Sequence, residues 1–250
     1  MKRSLTLLLA TLTFAGCASA PVSVSPPEGA TPTTSPAPTA TPMPSAVHWF
    51  RDSAEQQAAY LEIYAVAART VTASAPAFAA GSWAVILDAD ETVIDNSQYE
   101  KELWQTGKGT FDEALWASWV ARQSAPPLPG AREFLNLVHS LGGKIAIVTN
   151  RSEATCEATR ANFSQQSLPF DVMLCRGADG DKNPRFQAVE KGGTALGPLH
   201  VVLWIGDNIR DFPTLDQKAR FDPERLGAFG TRFFMLPNPM YGSWEKNPEE

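Results

Sequence analysis

Short apolar runs alternate with segments of helical periodicity along most of the chain. Runs rich in branched residues predict five strands, at 83–87, 144–148, 171–174, 201–205 and 232–235. Helical patterns lie between the second and fourth runs, and another precedes the second run and stops at Gly142 and Gly143. Continuous apolar strands separated by helices predict an α/β fold, a Rossmann-like parallel sheet with helices on both faces.

Two further helical regions flank the first strand. Ser53 and Gln56 have the spacing of a capping box, and apolar residues recur at helical spacing from Leu61 until Pro76. An aromatic-rich insertion then follows the first strand, at about 97–129. We expect this insertion to form a small helical cap beside the sheet.

The start of the chain has the pattern of an exported protein. Lys2 and Arg3 precede a short apolar stretch ending at Ala15, which indicates a signal peptide and is too short for a transmembrane helix. The sequence FAGC at 14–17 resembles a bacterial lipobox, although Phe14 stands where Leu is usual. This predicts lipidation of Cys17. The alternative is an ordinary secretory signal with an incidental cysteine.

Residues 18–45 are rich in Pro, Thr, Ser and Ala, which predicts a disordered tether. The expected organisation is a signal peptide and lipobox at 1–17, the tether at 18–45, and one folded domain at 46–250. We expect a protein of the cell envelope, anchored to the membrane through its N-terminal lipid. The outer membrane is the expected site, and the domain would face the periplasm or the surface.

The net charge limits the binding partners to expect, and the cysteine content limits the possible disulfides. The 250 residues include 27 acidic and 21 basic ones, a net charge of −6, which argues against a nucleic-acid polymer as partner. Cys156 and Cys175 remain after lipidation of Cys17. Export permits a disulfide between them, and two free thiols are the alternative. The sequence leaves open whether the chain forms a homodimer.

Carboxylates crowd the end of the first predicted strand. In AVILDADETVIDNS, at 84–97, the apolar run is followed by Asp88, Asp90, Glu91 and Asp95. Like charges this close repel one another unless a cation lies among them. The stretch therefore predicts a bound cation.

Other polar clusters should meet these carboxylates, because parallel strands present their carboxyl ends at one edge of the sheet. Residues 149–151, Thr-Asn-Arg, follow the second strand, and Asp207 and Asp211 follow the fourth. Lys182 begins the helix after the third strand. Carboxylate and carbonyl oxygens suit Mg²⁺ bound together with a substrate phosphate. The combination predicts magnesium-dependent phosphoryl transfer.

These motifs resemble those of a known superfamily. DADET after its apolar strand, TNR, the downstream lysine and GDNIRDF are similar to the four motifs of the haloacid dehalogenase superfamily. W-x-R-x-S-A-E at 49–55, DNSQYE, the W-x-x-W pair and MLPNPMYGSW resemble the class C acid phosphatases, the bacterial lipoprotein 5′-nucleotidase group. The similarity covers residues 47–244 and implies a haloacid dehalogenase-like core.

The resemblance implies a role for each carboxylate. Asp88 would be the nucleophile that forms a phosphoaspartate, and Asp90 would be the general acid and base. The backbone carbonyl of Asp90 would also bind the metal. Asp207 would complete the metal site, and Asp211 would either support it or orient Lys182. The implied Mg²⁺ site thus contains Asp88, Asp90, Asp207 and Asp211.

The resemblance also implies a phosphate site made of Thr149, Asn150 and Lys182. Lys182 would balance the charge that develops in the transition state. Two positions depart from the family pattern, since Ala89 replaces a larger apolar residue and Arg210 an acidic one. Neither removes an expected catalytic atom.

The aromatic residues of the cap leave two interpretations open. Trp116 and Trp119 are three residues apart and would share one helix face, where both could simply pack the insertion. The family resemblance instead implies that an aromatic here, Trp116, and Tyr241 flank the base of a substrate. For Trp119, core packing is favoured.

We therefore expect a phosphomonoesterase that acts on nucleoside 5′-monophosphates and other small phosphomonoesters outside the inner membrane. One alternative is a phosphotransferase of the same fold. Another is a non-catalytic surface lipoprotein, although such a relic would tolerate loss of the nucleophile, and this chain keeps every expected group.

Overall fold

The computed structural model of the protein describes residues 42–249. The predicted signal peptide, the lipidation site Cys17 and residues 18–41 of the predicted tether lie outside this range and stay predictions. The first helix begins at Ser45, one residue before the predicted start of the domain. Within the described range, no helix has both the length and the apolar character needed to cross a membrane.

One parallel sheet organises the described residues. Its five strands lie in the order β3-β2-β1-β4-β5, which places β1 at the centre. In the registers of the central strands, Leu87 is the partner of both Ile147 and Ile205. The strands are β1 Trp83–Leu87, β2 Lys144–Ser152, β3 Val172–Arg176, β4 His200–Gly206 and β5 Phe233–Met235.

Helices cover both faces of this sheet, as predicted. Val85 and Leu87 pack with α2, α5 and α6, whereas Ala84 and Ile86 pack on the other face with α7. Alternate residues of β1 thus enter two separate cores, which is why the strand is apolar throughout. The helices are α1 Ser45–Asp52, α2 Ala54–Ser74, α3 Ser97–Gln105, α4 Glu113–Ala121, α5 Ala131–Ser140, α6 Glu153–Gln165 and α7 Asn183–Lys191.

The described residues also contain short 3₁₀ segments, at Ala75–Ala77, Ile209–Asp211, Gln217–Phe221, Pro223–Leu226 and Ser243–Lys246. The predicted insertion, 97–129, holds α3 and α4. At the start of α2, Ser53 Oγ accepts a hydrogen bond from the Gln56 amide at 3.1 Å, which is one of the two bonds of the predicted capping box. The Ser53 amide donates to the carbonyl of Trp49 and not to the Gln56 side chain.

The strand limits differ from the predicted ones, most of all for β2. This strand continues to Ser152, so residues 149–151 lie within it and do not follow it. Regular pairing with β3 reaches Val148 and then resumes at Ser152. The prediction stopped where the apolar run stopped, but backbone pairing does not require apolar side chains. β1 has its predicted limits, and the remaining limits shift by at most one residue, or by two at the end of β3.

A disulfide joins Cys156 of α6 to Cys175 of β3, with 6.0 Å between the two Cα atoms. Both residues are buried in the core on that face of the sheet. The structure thereby decides between the two alternatives that the sequence left open. The bond fixes α6 against the outer strand of the sheet.

Replacing both cysteines with alanine should lower the free energy of unfolding by about 2–4 kcal/mol, because the cross-link restricts the unfolded chain. Urea unfolding of the wild type and the variant measures the difference. A reducing agent should destabilise the wild type by a similar amount and leave the variant unchanged. Labelling of both cysteines by a thiol reagent in the oxidised, unfolded protein would contradict the bond.

Candidate active site

The carboxyl ends of β1 and β4 meet near the middle of the sheet. From β1 the strands β2 and β3 extend to one side, whereas β4 and β5 extend to the other, so the strand order reverses here. Open α/β sheets bind their ligands at such a switch point. Asp88 directly follows β1, and Asp207 directly follows β4. The ends of two neighbouring strands therefore bring these carboxylates together.

Three carboxylates converge around one lysine. Oxygens of Asp88, Asp207 and Asp211 lie within 4.8 Å of one another. Lys182 Nζ lies 2.6 Å from Asp88 Oδ1 and 2.7 Å from Asp211 Oδ1, and its side chain is only 2% exposed. At Gly206 a Cβ atom would lie 2.3 Å from the Cβ of Asp211, so only glycine admits this approach.

The acidity of these groups reflects their crowding. Burial, reinforced by the charges of Asp211 and Asp90, raises the pKa of Asp88 to about 7 despite the opposing effect of Lys182. Burial and the charges of Asp211 and Asp88 raise the pKa of Asp207 well above its usual value. Burial would lower the pKa of Lys182, but the Asp211 and Asp88 carboxylates outweigh it and raise the pKa. The protein groups alone leave this site short of positive charge.

Asp88 and Asp207 offer the oxygen ligands that Mg²⁺ prefers. Asp207 accepts hydrogen bonds from Asn238 Nδ2 at 2.8 Å and from Thr92 Oγ1 at 3.4 Å. Asp211 is more fully engaged, since its Oδ1 pairs with Lys182 and its Oδ2 accepts from the backbone amide of the residue after Asp207, at 2.8 Å. The donor set fits Mg²⁺, and the contacts of Asp211 favour the orienting role over a role as ligand.

The loop that follows Asp88 is held by α2. Tyr60 donates its hydroxyl to the carbonyl of Glu91 at 2.6 Å, and Tyr64 donates to the carbonyl of Thr92 at 2.9 Å. Glu91 has a φ of 48°, in the left-handed region that few residues other than glycine adopt. The helix α2, which the sequence predicted without any link to the site, thus restrains the backbone beside the candidate nucleophile.

Asp90 faces a different set of partners. Its Oδ1 accepts hydrogen bonds from Arg151 Nε at 2.9 Å and from Asn96 Nδ2 at 2.8 Å. The Asp90 side chain keeps 18% of its surface exposed, whereas that of Arg151 keeps 2%. Asp88 and Asp90 are two residues apart but lie in separate networks, one around Lys182 and one around Arg151.

The three predicted phosphate-binding residues have different partners in the structure. Thr149 is buried, and its Oγ1 accepts from the Arg151 amide at 3.1 Å. Asn150 is exposed, and its Oδ1 accepts from Arg185 Nη2 at 2.7 Å. Arg185 also donates to the carbonyl of Thr149. Of the three predicted residues, Lys182 alone has a described contact with Asp88.

The aromatic candidates differ in their surroundings. Trp119 is buried and donates its Nε1 hydrogen to Asn96 Oδ1 at 2.8 Å, in agreement with core packing. The ring of Trp116 lies over the guanidinium of Arg151, and the distance from Arg151 Cζ to the ring centre is 5.1 Å. Tyr241 is half-buried and follows the loop whose Asn238 contacts Asp207. Whether Trp116 and Tyr241 flank a substrate base stays a prediction.

The sequence profile of the haloacid dehalogenase superfamily, subfamily IIIB (acid phosphatase), matches residues 1–244. The chain belongs to this family. The structure of the class C acid phosphatase from Bacillus anthracis is similar at a TM-score of 0.73 and 29% identity, covering 80% of this chain and 85% of that one. A tungstate-bound form of the same enzyme is similar at a TM-score of 0.73 and 28% identity.

Two plant proteins are similar over a shorter part of the chain. Acid phosphatase 1 of Solanum lycopersicum is 27% identical over 160 residues, which cover 62% of this chain and 57% of the tomato protein. The stem 28 kDa glycoprotein of Glycine max is 25% identical over 162 residues, or 62% and 58% of the two lengths. The chain thus spans less than two thirds of the curated relatives it matches.

Membership of the acid phosphatase family confirms the resemblance and the predicted fold.

Some residues of the site had no role in the sequence-based prediction. Asn96, Arg151 and Asn238 stand within motifs that carried the resemblance, so the sequence contained a signal for them. The sequence contained no such signal for Arg185, because a single arginine within a helix is usually a surface charge.

Asp88→Asn should stabilise the metal-free protein, because it removes a buried charge while Lys182 keeps its contact with Asp211. The pKa of Asp88 is raised to about 7 in the folded state, so the wild type loses stability as the pH rises through the window between 3.8 and 7. The gain should therefore increase through that window and reach about 1–3 kcal/mol above it.

Urea unfolding in EDTA at several pH values measures this gain. Asp222→Asn, at an exposed aspartate, is the matched control and should show no such trend. A gain that shrinks as the pH rises would refute the raised pKa.

Proposed function

We propose that the protein is a Mg²⁺-dependent phosphomonoesterase that acts through a phosphoaspartate on Asp88. The observation that carries the proposal is the convergence of Asp88, Lys182 and Asp207 at the switch point, with Asp90 two residues away in its own network. Membership of the acid phosphatase family supports it. So does the tungstate bound by the Bacillus anthracis relative, since tungstate is a tetrahedral oxyanion like phosphate.

In the first step, a carboxylate oxygen of Asp88 attacks the phosphorus atom and the bond to the leaving oxygen breaks. Asp90 gives its proton to that oxygen, which leaves as an alcohol. Lys182 Nζ, 2.6 Å from Asp88 Oδ1, is placed to stabilise the negative charge of the phosphoryl oxygens. The product is an acyl phosphate on Asp88.

In the second step, water attacks the phosphorus atom of this acyl phosphate. Asp90, now a carboxylate, accepts a proton from the water, and the bond between phosphorus and Asp88 breaks. Inorganic phosphate leaves, and Asp88 returns as a carboxylate. Asp90 ends the cycle protonated, so both residues are regenerated.

Asp88, Asp207 and the backbone carbonyl of Asp90 would hold the Mg²⁺ ion, with Asp211 orienting Lys182. When bound, the ion supplies positive charge that offsets the crowded carboxylates and the substrate phosphate. For a cellular location we keep the lipid-anchored envelope position that the first residues predict. Such a location would expose the domain to phosphomonoesters outside the inner membrane.

Asp88→Asn and Asp90→Asn should lower the hydrolytic activity in different ways. The first removes the attacking oxygen, so hydrolysis should be lost for every substrate. The second removes the proton donor of the first step, so kcat/KM for an alkyl phosphate should fall about 10²- to 10⁴-fold, whereas kcat/KM for p-nitrophenyl phosphate should fall about tenfold or less because its leaving group needs little protonation. Loss of the base in the second step should lower kcat for both substrates, so kcat/KM is the quantity compared. Steady-state kinetics with both substrates, with Mg²⁺ and with EDTA, measures these changes.

Asp222→Asn is again the control and should retain wild-type rates. EDTA should abolish turnover, and added Mg²⁺ should restore it. Equal losses of kcat/KM on both substrates in Asp90→Asn would remove the acid role from Asp90. Full activity of Asp88→Asn would remove the phosphoaspartate.

For the substrate, we propose nucleoside 5′-monophosphates with the base near Trp116 and Tyr241. A base stacked on an aromatic face contributes about 1–3 kcal/mol. Trp116→Ala or Tyr241→Ala should therefore lower kcat/KM for nucleotides by about tenfold or more, mostly through KM, and affect small phosphomonoesters little, both a small alkyl phosphate and p-nitrophenyl phosphate. Purine and pyrimidine nucleotides should both respond, because the stack needs only a ring face.

Phe78→Ala provides a matched control, because Phe78 is a half-buried aromatic that stacks on His200 at the amino end of β4, far from the candidate site along the strand. Its nucleotide kinetics should be unchanged. If Trp116→Ala and Tyr241→Ala slow all substrates alike, these side chains are packing residues and the nucleotide preference is wrong.

A further inference from the structure

Arg151 is an arginine enclosed by the protein. Its side chain is 2% exposed, and within residues 42–249 Asp90 is the one carboxylate paired with it. Nη1 donates to Thr159 Oγ1 at 3.2 Å, and the ring of Trp116 covers the guanidinium. Burying a guanidinium costs free energy of folding unless the group is paired. The arrangement therefore indicates that Arg151 has a specific role at Asp90.

Every described contact of the Asp90 carboxylate falls on one oxygen. Arg151 Nε and Nη2 each lie 2.9 Å from Oδ1, and Asn96 Nδ2 lies 2.8 Å from it. Within the described residues, no hydrogen bond reaches Oδ2. The carboxylate is therefore fixed on one side and open on the other.

The orientation of the Asn96 amide follows from its neighbours. Its oxygen accepts from Arg151 Nη2 at 2.8 Å and from Trp119 Nε1 at 2.8 Å. Both partners are donors only, so the amide oxygen must face them and the amide nitrogen must face Asp90. The backbone amide of Asn96 donates to Glu91 Oε1 at 2.7 Å, which anchors the residue further.

We propose that Arg151 and Asn96 are positioning residues for Asp90: they hold its Oδ1 and leave Oδ2 as the oxygen that exchanges the proton. A proton on Oδ1 would point at N–H donors, so the acid form carries its proton on Oδ2. From Oδ2 that proton passes to the leaving oxygen in the first step and is replaced from water in the second. The inference rests on the proposed function, because it takes Asp90 as the acid and base.

Arg151→Lys tests the proposal, since lysine keeps the charge but cannot hold one oxygen through Nε and Nη2 together. It should lower kcat/KM, which reports on the first step, by about 10- to 100-fold for an alkyl phosphate and by about threefold or less for p-nitrophenyl phosphate. Combined with Asp90→Asn, it should add about threefold or less on either substrate, because its effect passes through Asp90. Arg160→Lys, a half-exposed arginine on α6, is the control and should retain wild-type kinetics.

Thr159→Val is the second variant, and it decides the matter if Arg151→Lys does not fold. It removes the acceptor of Nη1 without touching Asp90, and should produce a smaller loss that is again confined to the alkyl phosphate. Equal losses of kcat/KM on both substrates, or additive losses in the Asp90→Asn background, would overturn the proposal. If Asp90→Asn itself shows no dependence on the leaving group, the proposed function fails first, and the kinetics distinguish the two failures.

Discussion

The structure depends on bringing three carboxylates together beside a single buried ammonium group. Asp88, Asp207 and Asp211 come from the ends of two neighbouring strands and a short 3₁₀ segment, and Lys182 reaches them from the start of α7. Burial raises the pKa values of Asp88 and Asp207, and the neighbouring carboxylates that one lysine does not balance raise them further. The remaining deficit of positive charge is what makes the site suited to a divalent cation and a phosphate ester.

A second constraint separates the two candidate catalytic aspartates. Residues two apart beyond a strand end could share one environment, but the loop after β1 turns between them and is held by two tyrosine hydroxyls of α2. Asp88 faces Lys182, whereas Asp90 faces Arg151 and Asn96. Two identical side chains thereby acquire different chemistry from their surroundings, as attack on phosphorus and proton transfer require.

Much of this arrangement could be predicted from the sequence, because it depends on strand order and strand ends. The run from Trp83 to Leu87 is apolar on both faces, so the parallel sheet and the place of Asp88 followed directly. The continuation of β2 through 149–151 did not, because polar residues carry no strand signal. The disulfide and the contacts of Arg151 could not be predicted, since both join segments whose approach depends on the packing of α6.

The central claim is that Asp88 carries the phosphoryl group during turnover. Rapid quenching of the enzyme with saturating substrate and Mg²⁺, followed by borohydride reduction and peptide mass analysis, tests it most directly, because borohydride converts an aspartyl phosphate to homoserine. The account predicts homoserine at position 88, only when substrate is present and never in Asp88→Asn. Modification at another residue, or an unmodified Asp88 during active turnover, would contradict it.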